Sequence, residues 1–451
     1  MFVFKRYLYR NYRVYTGMIH WVGRRMTRGG GLVLGALVFA AAQGDTSLSL
    51  TYQPLCFLLF LAIAALASSR VGRSRITAER HLPAMGSVGV PLSYRVVVQH
   101  AARRRLRGLT LLEELPDSRP TLQQFLEVAE PGESKRNWLD RTYGYYRWRW
   151  LTRMNQRALV PERAVPLIPP GGRTEVRLEL VPLRRGVLWF RGVTVAWSDP
   201  FGLWRSLMPL PLPQSILILP KRYRISPVAL PGTMKYQPGG MALASSVGES
   251  EEFVALRDYR PGDSLRHLHW KSWARTGKPI VKEFEDEFFV RHALILDTFA
   301  DAEFSDRFEE AVSVASSFAC TVQMQDSLLD LLFIGPHAYC FRVGRSLAHA
   351  DQMQEILAAV QVCRDQSFAT LRHLVRQHLN AVSGCICIFL AWDDERQELV
   401  AELQAQSIPL RVFVVTEAGQ GAALDPGPLR GQAGCFHPLE IGRIAETLRA
   451  L

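Results

Sequence analysis

The sequence of 451 residues predicts a fold in three parts: a membrane helical hairpin, an all-β sandwich-like domain, and an α/β domain on a doubly wound, mostly parallel sheet. Two apolar runs stand near the start, short strand-like segments fill the middle, and buried strands alternate with helices towards the end. The predicted parts are a basic aromatic leader (1–28), two transmembrane helices (29–69), a β domain (75–220), a motif-rich segment (240–285) and the α/β domain (286–451).

Composition bounds the class of protein. A hydrophobic content of 48% excludes a mainly disordered chain. The net charge of +12 is uneven, since residues 286–451 carry 12 Lys and Arg against 22 Asp and Glu. A basic front half favours an anionic lipid surface, and less strongly nucleic acid, as a partner. The seven cysteines are scattered and form no CxxC pair, which indicates free thiols in a reducing compartment.

The predicted hairpin consists of apolar runs at 29–44 and 53–67. Each run is nearer 16 residues than the roughly 20 that a bilayer span needs, so each is expected to extend by about a turn. Arg and Lys flank both outer ends, whereas the connecting loop carries only Asp45. This distribution predicts a two-helix protein of the bacterial inner membrane, with both termini in the cytoplasm. A cleaved signal peptide is the alternative.

The middle of the chain shows short apolar or alternating segments broken by Pro and Gly, which predicts a β-sandwich or barrel without a convincing helix. One strand is expected to end in the turn Asp199-Pro200-Phe201-Gly202-Leu203, folded around a buried Phe201. Residues 135–157 carry seven basic and six aromatic residues against one acid. As a strand, this segment would place Tyr146, Trp148 and Trp150 on one side. A structural or lipid-headgroup role is favoured, and no nucleic acid is expected.

The densest chemistry lies in residues 249–285, where Trp, His, Arg, Asp and Glu stand close together. Burial of Trp beside charges requires a specific paired arrangement, so the charges are expected to form ion pairs. A structural or partner-docking role is favoured over catalysis, for which Glu252, Asp263 and His269 are the acid–base candidates. The candidate docking residues are Glu252, Arg257, Tyr259, Pro261, Gly262, Asp263, Arg266, His269, Trp270, Arg275 and Glu283.

This segment resembles the signature of a bacterial family known as domain of unknown function 58, or DUF58. The matching positions are Gly248, Glu252, Phe253, Arg257, Tyr259, Pro261-Gly262-Asp263, Arg266, His269-Trp270, Ala274-Arg275, Val281 and Glu283-Phe284-Glu285. A turn of the DPFGL type also occurs in that family, at the place of Asp199–Leu203. The resemblance therefore extends beyond the signature.

The α/β domain is similar to a von Willebrand factor A domain. Such domains often hold Mg²⁺ through a DxSxS motif after the first strand, in an oxygen-only shell. Here the motif reads Asp297-Thr298-Phe299-Ala300-Asp301, so Phe299 and Asp301 replace the two serines. The site is degenerate at Asp297 and Asp301, and we expect neither a metal nor another cofactor. Asp297 is expected to be a structural residue at the strand end.

Three functions fit these features. The resemblance implies a membrane-anchored adaptor for a MoxR-type AAA+ ATPase, acting in the assembly or maturation of protein complexes. The chain has no phosphate-binding loop of the GxxxxGK[ST] type, which fits a partner of a separate ATPase rather than an enzyme. Membrane lipid and other von Willebrand factor A proteins are further expected partners. The alternatives are an enzyme that uses the acidic and histidine cluster, and a nucleic-acid binder that uses residues 135–157.

Overall fold

The computed structural model describes residues 2–43, 49–68, 76–101, 105–225, 253–261, 263, 265–284, 291–300, 302, 304–323, 328–342, 347–379, 382–421, 424–432 and 434–451. The chain divides into two units. The first contains Met1–Lys221 and Ala302–Phe304, and the second contains Arg222–Asp301 and Ser305–Leu451.

Three helices open the first unit: α1 (Phe2–Arg25), α2 (Arg28–Gln43) and α3 (Ser49–Ser68). Among the described residues, none of the helices combines the length and the hydropathy needed to cross a membrane. The predicted transmembrane hairpin at 29–69 is therefore wrong, and so is the multi-pass inner-membrane location. The 16 residues of α2 rise only about 24 Å, against a hydrocarbon core of roughly 30 Å. Pro54 and polar residues occupy the first turns of α3.

One side of α1 packs on the rest of the first unit. The Tyr9 hydroxyl donates to the Pro120 carbonyl at 3.3 Å, and the Tyr12 hydroxyl donates to the Tyr143 carbonyl at 3.2 Å. Near the end of the helix, Arg24 forms an ion pair with Glu114. The aromatic residues of the leader therefore serve partly as internal packing groups.

Two sheets form the β part of this unit. Their strands are β1 (Ile76–His81), β2 (Met85–Ser87), β3 (Leu92–His100), β4 (Leu109–Glu114), β5 (Ala158–Leu159), β6 (Arg163–Ala164), β7 (Arg173–Pro182), β8 (Gly186–Ser198) and β9 (Arg205–Leu219). One sheet has the order β1-β3-β7-β5 and the other β2-β9-β8-β4-β6. Alternate residues such as Val96, Leu178 and Val195 enter one shared core, because successive side chains of a strand point to opposite faces.

A buried ion pair joins the two sheets. Arg80 on β1 pairs with Glu113 on β4, and their side chains are 0% and 1% exposed. The Tyr94 hydroxyl on β3 donates to Glu113 Oε2 at 2.7 Å, and Arg80 Nη2 donates to the Gly192 carbonyl at 3.0 Å. The guanidinium lies 4.7 Å from the centre of the Phe190 ring. Burial raises the pKa of Glu113 to about 7, and the Arg80 charge opposes that rise.

The turn at Asp199–Leu203 forms as predicted, except for its phenylalanine. Asp199 Oδ1 accepts hydrogen bonds from the amides of Leu203 at 2.7 Å and Trp204 at 2.9 Å. Gly202 has a φ of 69°, which a residue with a Cβ rarely adopts. Phe201, predicted to be buried, is 50% exposed. The Asp199 carboxylate therefore organises the turn without a contribution from a buried ring.

Residues 135–157 form helices, so their reading as a strand is wrong. The first unit also contains α4 (Leu122–Glu127), α5 (Trp138–Tyr143) and α6 (Tyr145–Asn155). Gly144, with a φ of 63°, ends α5 and begins α6. Trp148 and Leu151 are three residues apart and both buried, which is helical periodicity. Arg147 is buried and pairs with Glu133, so part of this basic and aromatic segment is used inside the unit.

The second unit contains a six-stranded sheet with helices on both faces. Its elements are β10 (Phe253–Asp258), α7 (Trp270–Thr276), β11 (Ile280–Phe284), β12 (Arg291–Leu296), α8 (Asp306–Gln323), β13 (Leu328–Ile334), β14 (Ala338–Arg342), α9 (Leu347–Ala359), α10 (Phe368–His378), β15 (Gly384–Phe389), α11 (Asp394–Ala405), β16 (Leu410–Thr416), β17 (Phe436–Glu440) and α12 (Ile444–Arg449). The sheet order is β14-β13-β12-β15-β16-β17, parallel except for β14.

The two faces of this sheet bury separate cores. Leu294 and Leu296 of β12 pack with α8, α9 and α12, while Ala293 and Ile295 pack with α10 and α11. Cys385 and Cys387 on β15 are buried as small apolar side chains, as their sequence context predicts. The chain runs from β12 to one side through β13 and β14, and then continues on the other side from β15. This reversal creates a switch point between the carboxyl ends of β12 and β15.

The raised pKa of Glu113 gives the β sheets a pH-dependent stability. The stability that this group contributes is present below its unfolded-state pKa of 4.5 and is lost as the pH rises through about 7. We expect protection of the β3 and β4 amides to fall by about 1–3 kcal/mol between pH 5 and 8, relative to Glu113→Gln. Hydrogen exchange followed by mass spectrometry measures the difference. An equal or steeper fall in the variant would contradict this assignment.

Candidate functional site

The signature segment is a small β–α structure of its own. Strands β10 and β11 are antiparallel, with Arg257 opposite Val281 and Asp258 opposite Ile280. The His269 amide donates to the Ile280 carbonyl at 2.8 Å, which ties the start of α7 to β11. Leu268 and Val281 are buried against this junction. Among the side chains of this segment that the structure describes, few apolar ones are buried, so polar contacts help to fix its geometry.

The Asp263 carboxylate is the centre of those contacts. Arg257 donates to both of its oxygens, from Nη1 at 2.7 Å and Nη2 at 2.8 Å, and the Arg260 amide donates to Oδ2 at 2.8 Å. The Asp263 amide returns a hydrogen bond to the Arg260 carbonyl at 3.0 Å. The hydrogen bonds from Arg257 and from the Arg260 amide lower the pKa of Asp263 to about 2. A bidentate pair of this kind fixes both position and orientation.

The other predicted residues are spread around this centre. His269 Nδ1 lies 2.6 Å from Ser272 Oγ, and among the described residues no hydrogen bond or ion pair joins His269 to Asp263. The Tyr259 amide donates to the Pro279 carbonyl at 2.9 Å, and Pro261 is exposed at the turn. Glu252, Gly262 and the side chains of Arg266 and Glu283 lie outside the described part of the structure.

Two tryptophans of α7 stack on each other, and of the two Trp270 is exposed whereas Trp273 is half-buried. The ring centres of Trp270 and Trp273 are 5.2 Å apart with 20° between the planes, and Trp270 is 64% exposed. Lys271 and Arg275, also exposed, are four residues apart and lie on one side of the helix. Leu265, just before α7, is 66% exposed. Exposed apolar surface framed by cations is typical of a protein-binding site.

At the carboxyl end of β12, Arg396 pairs with Asp297 and Asp393, two carboxylates that a metal ion could use as ligands. Asp297 is buried, and its oxygens accept from the Phe299 amide at 3.0 Å, the Leu390 amide at 3.1 Å and Arg396 Nε at 2.9 Å. Arg396 also pairs with Asp393, the N-cap of α11. Burial raises the pKa of Asp297, although the guanidinium opposes that rise.

Few ligand oxygens remain free for a divalent metal among the described residues of this arrangement. Asp297 accepts hydrogen bonds from three protein donors, Phe299 supplies no side-chain oxygen, and Asp301 lies outside the described residues. Within the described ranges, no group of three His, Cys, Asp or Glu is placed to hold a metal. Arg396 is not among the residues that the sequence predicts for this site. Its only local signal is its position three residues after Asp393, where it pairs across the first turn of α11.

Comparison with known proteins supports the resemblance of the signature segment to DUF58. Residues 255–370 match the family model described as "Protein of unknown function DUF58", which confirms the predicted resemblance over that range. The chain is 30% identical over 182 residues to "Uncharacterized protein YeaD" of Bacillus subtilis (strain 168). That alignment covers 40% of this chain and 44% of the relative, so less than half of the relative's length is spanned.

Comparison with solved structures includes a distant similarity. It is to a GH20 exo-β-N-acetylglucosaminidase from Vibrio harveyi, in complex with N-acetylglucosamine. The sequence identity is 8%, and the match covers 77% of this chain and 57% of that one. The TM-score of 0.14 is too low to indicate a common fold.

The Asp263 pair predicts a local response to substitution. Asp263→Asn should loosen the turn, because the amide cannot accept from both Arg257 nitrogens and Arg260 together. We expect tryptic cleavage after Lys271 to accelerate roughly tenfold, as measured by mass spectrometry of the peptides. Asp258→Asn, at the exposed acid that ends β10, is the control and should leave the rate unchanged. Equal rates in both variants would contradict the central role of Asp263.

Loss of the Arg396 guanidinium should destabilise the α/β sheet. Arg396→Met leaves the Asp297 carboxylate buried beside an apolar chain, at a cost of about 3–5 kcal/mol. Hydrogen exchange in β12 and β15 measures this cost. Adding Asp297→Asn should recover part of it, because the uncompensated charge is then gone. Arg430→Met, which breaks an exposed pair with Asp425, is the control. A loss no larger than in this control would contradict the assignment.

Proposed function

We propose that this chain is an adaptor protein that binds a MoxR-type AAA+ ATPase through its signature segment, in the assembly or maturation of protein complexes. The single observation that carries the proposal is the stack of exposed Trp270 on half-buried Trp273, in a segment that the Arg257–Asp263 ion pair supports. Tryptophan and arginine dominate the binding energy of protein interfaces, since they combine a large contact area with directed hydrogen bonds. The match of residues 255–370 to DUF58 is the premise for naming this ATPase class.

The charge of the segment indicates the chemistry of the partner surface. Residues 253–284 contain seven Lys and Arg against three Asp and Glu. Asp263 is already paired with Arg257, so the cations nearest to the tryptophan pair, Lys271 and Arg275, have no acid beside them among the described residues. A partner with an acidic rim around an apolar centre would complement this surface.

The alternative of acid–base catalysis has less support. Asp263 accepts from Arg257 and Arg260, and its lowered pKa makes it a poor proton carrier near neutral pH. His269 is engaged by Ser272 and has no described contact with Asp263. Glu252, the third candidate, lies outside the described residues. These contacts favour a structural role for the cluster.

Affinity capture with the full chain tests the proposal. Recovery of an AAA+ ATPase from cell extract should fall at least tenfold with Trp270→Ser, and also with Lys271→Glu combined with Arg275→Glu. Mass spectrometry quantifies the ATPase. Trp138→Ser is the matched control, because Trp138 of the first unit is 67% exposed. Failure to recover any AAA+ ATPase, or equal losses with Trp138→Ser, would contradict the proposal.

A further inference from the structure

A cleft of about 480 Å³ opens at the carboxyl edge of the six-stranded sheet. It lies at the switch point between β12 and β15, the position where open α/β sheets generally bind their ligands. Its volume is within the usual range of small-ligand sites. Among its lining residues are Phe299, Arg307, Arg364, Phe368, Glu395 and Arg396.

Arg396 turns one edge of its guanidinium towards this cleft. Nε donates to Asp297 and Nη1 to Asp393, while the group packs on Phe368 at 4.5 Å from the ring centre. The side chain is only 8% exposed. Among the described residues no acceptor contacts Nη2. A buried, fixed guanidinium with unused donors is a preorganised site for an oxyanion.

Two further arginines stand at the rim. Arg307 and Arg364 are exposed, and neither has an acidic partner among the described residues. Arg307 Nη1 donates to the Leu390 carbonyl at 3.3 Å, which holds its head beside the cleft. The acids among the described lining residues are Asp393, already paired with Arg396, and Glu395. The unpaired charges among these described lining residues at the rim are therefore two cations and one anion.

We propose that this cleft binds a carboxylate group, held by Arg396 Nη2 together with Arg307 and Arg364. A planar carboxylate accepts from two guanidinium groups at once. Each carboxylate group carries one charge, whereas a phosphate places up to two charges on a single group, which Glu395 and Asp393 would repel. No divalent cation takes part, because the Arg396 guanidinium holds the two aspartates.

Calorimetric titration of the full chain tests this site, with succinate as the probe and succinamide as its neutral analogue. We expect saturable binding of succinate that EDTA leaves unchanged, and no binding of succinamide. Arg307→Gln and Arg364→Gln should each weaken binding tenfold or more, because each removes a charged hydrogen bond. Both positions are exposed, so the variants should fold. Arg430→Gln, at an exposed arginine outside the cleft, is the control and should bind as the wild type does.

A second titration distinguishes the sources of the carboxylate. The blocked peptide acetyl-Gly-Gly-Glu-Gly-Gly-amide carries one side-chain carboxylate. Tighter binding of the peptide supports a protein side chain as the ligand, and tighter binding of succinate supports a small molecule; either result upholds the site. Absence of binding by both probes, tighter binding of inorganic phosphate, loss of binding in EDTA, or unchanged affinity in both rim variants would overturn it.

Discussion

The ion cluster of Asp297, Arg396 and Asp393 is the constraint on which the carboxyl edge of the six-stranded sheet depends. It joins the end of β12 to the start of α11, so two loops that leave the sheet at the switch point are held by one guanidinium. A buried ion pair adds little stability compared with an apolar replacement, but it penalises loss of either partner heavily. The cluster thus sets the geometry of the edge more than it increases total stability.

The signature segment also depends on polar contacts. Few of its described apolar side chains are buried, and the Asp263 carboxylate helps to fix the segment by binding Arg257 and the backbone of Arg260. Because the polar groups are used for support, the aromatic surface of Trp270 remains exposed. The density of Trp, His, Arg and Asp that marks this segment in the sequence is therefore explained by a division between supporting and presenting residues.

The sequence predicts some parts of this protein well, for identifiable reasons. A short continuous apolar run such as β15 is typical of a strand buried on both faces. Arg257 and Asp263 are close enough in sequence for pairing to be expected. The helical form of α6 is missed because its Trp and Arg alternation imitates a strand, while the burial of Trp148 and Leu151 depends on packing. Arg396 contacts Asp297 across 99 residues, and periodicity carries no information about such a contact. The membrane prediction fails because it required extension of two short apolar runs.

We infer that Arg396 takes the place of a cation at the end of β12. Titration of MgCl₂ into the full chain, followed by calorimetry, tests it most directly. We expect the wild type and Asp297→Asn to give the same heats, since Asp297 already accepts hydrogen bonds from Arg396, Phe299 and Leu390. Stoichiometric Mg²⁺ binding in the wild type that disappears in Asp297→Asn would contradict it.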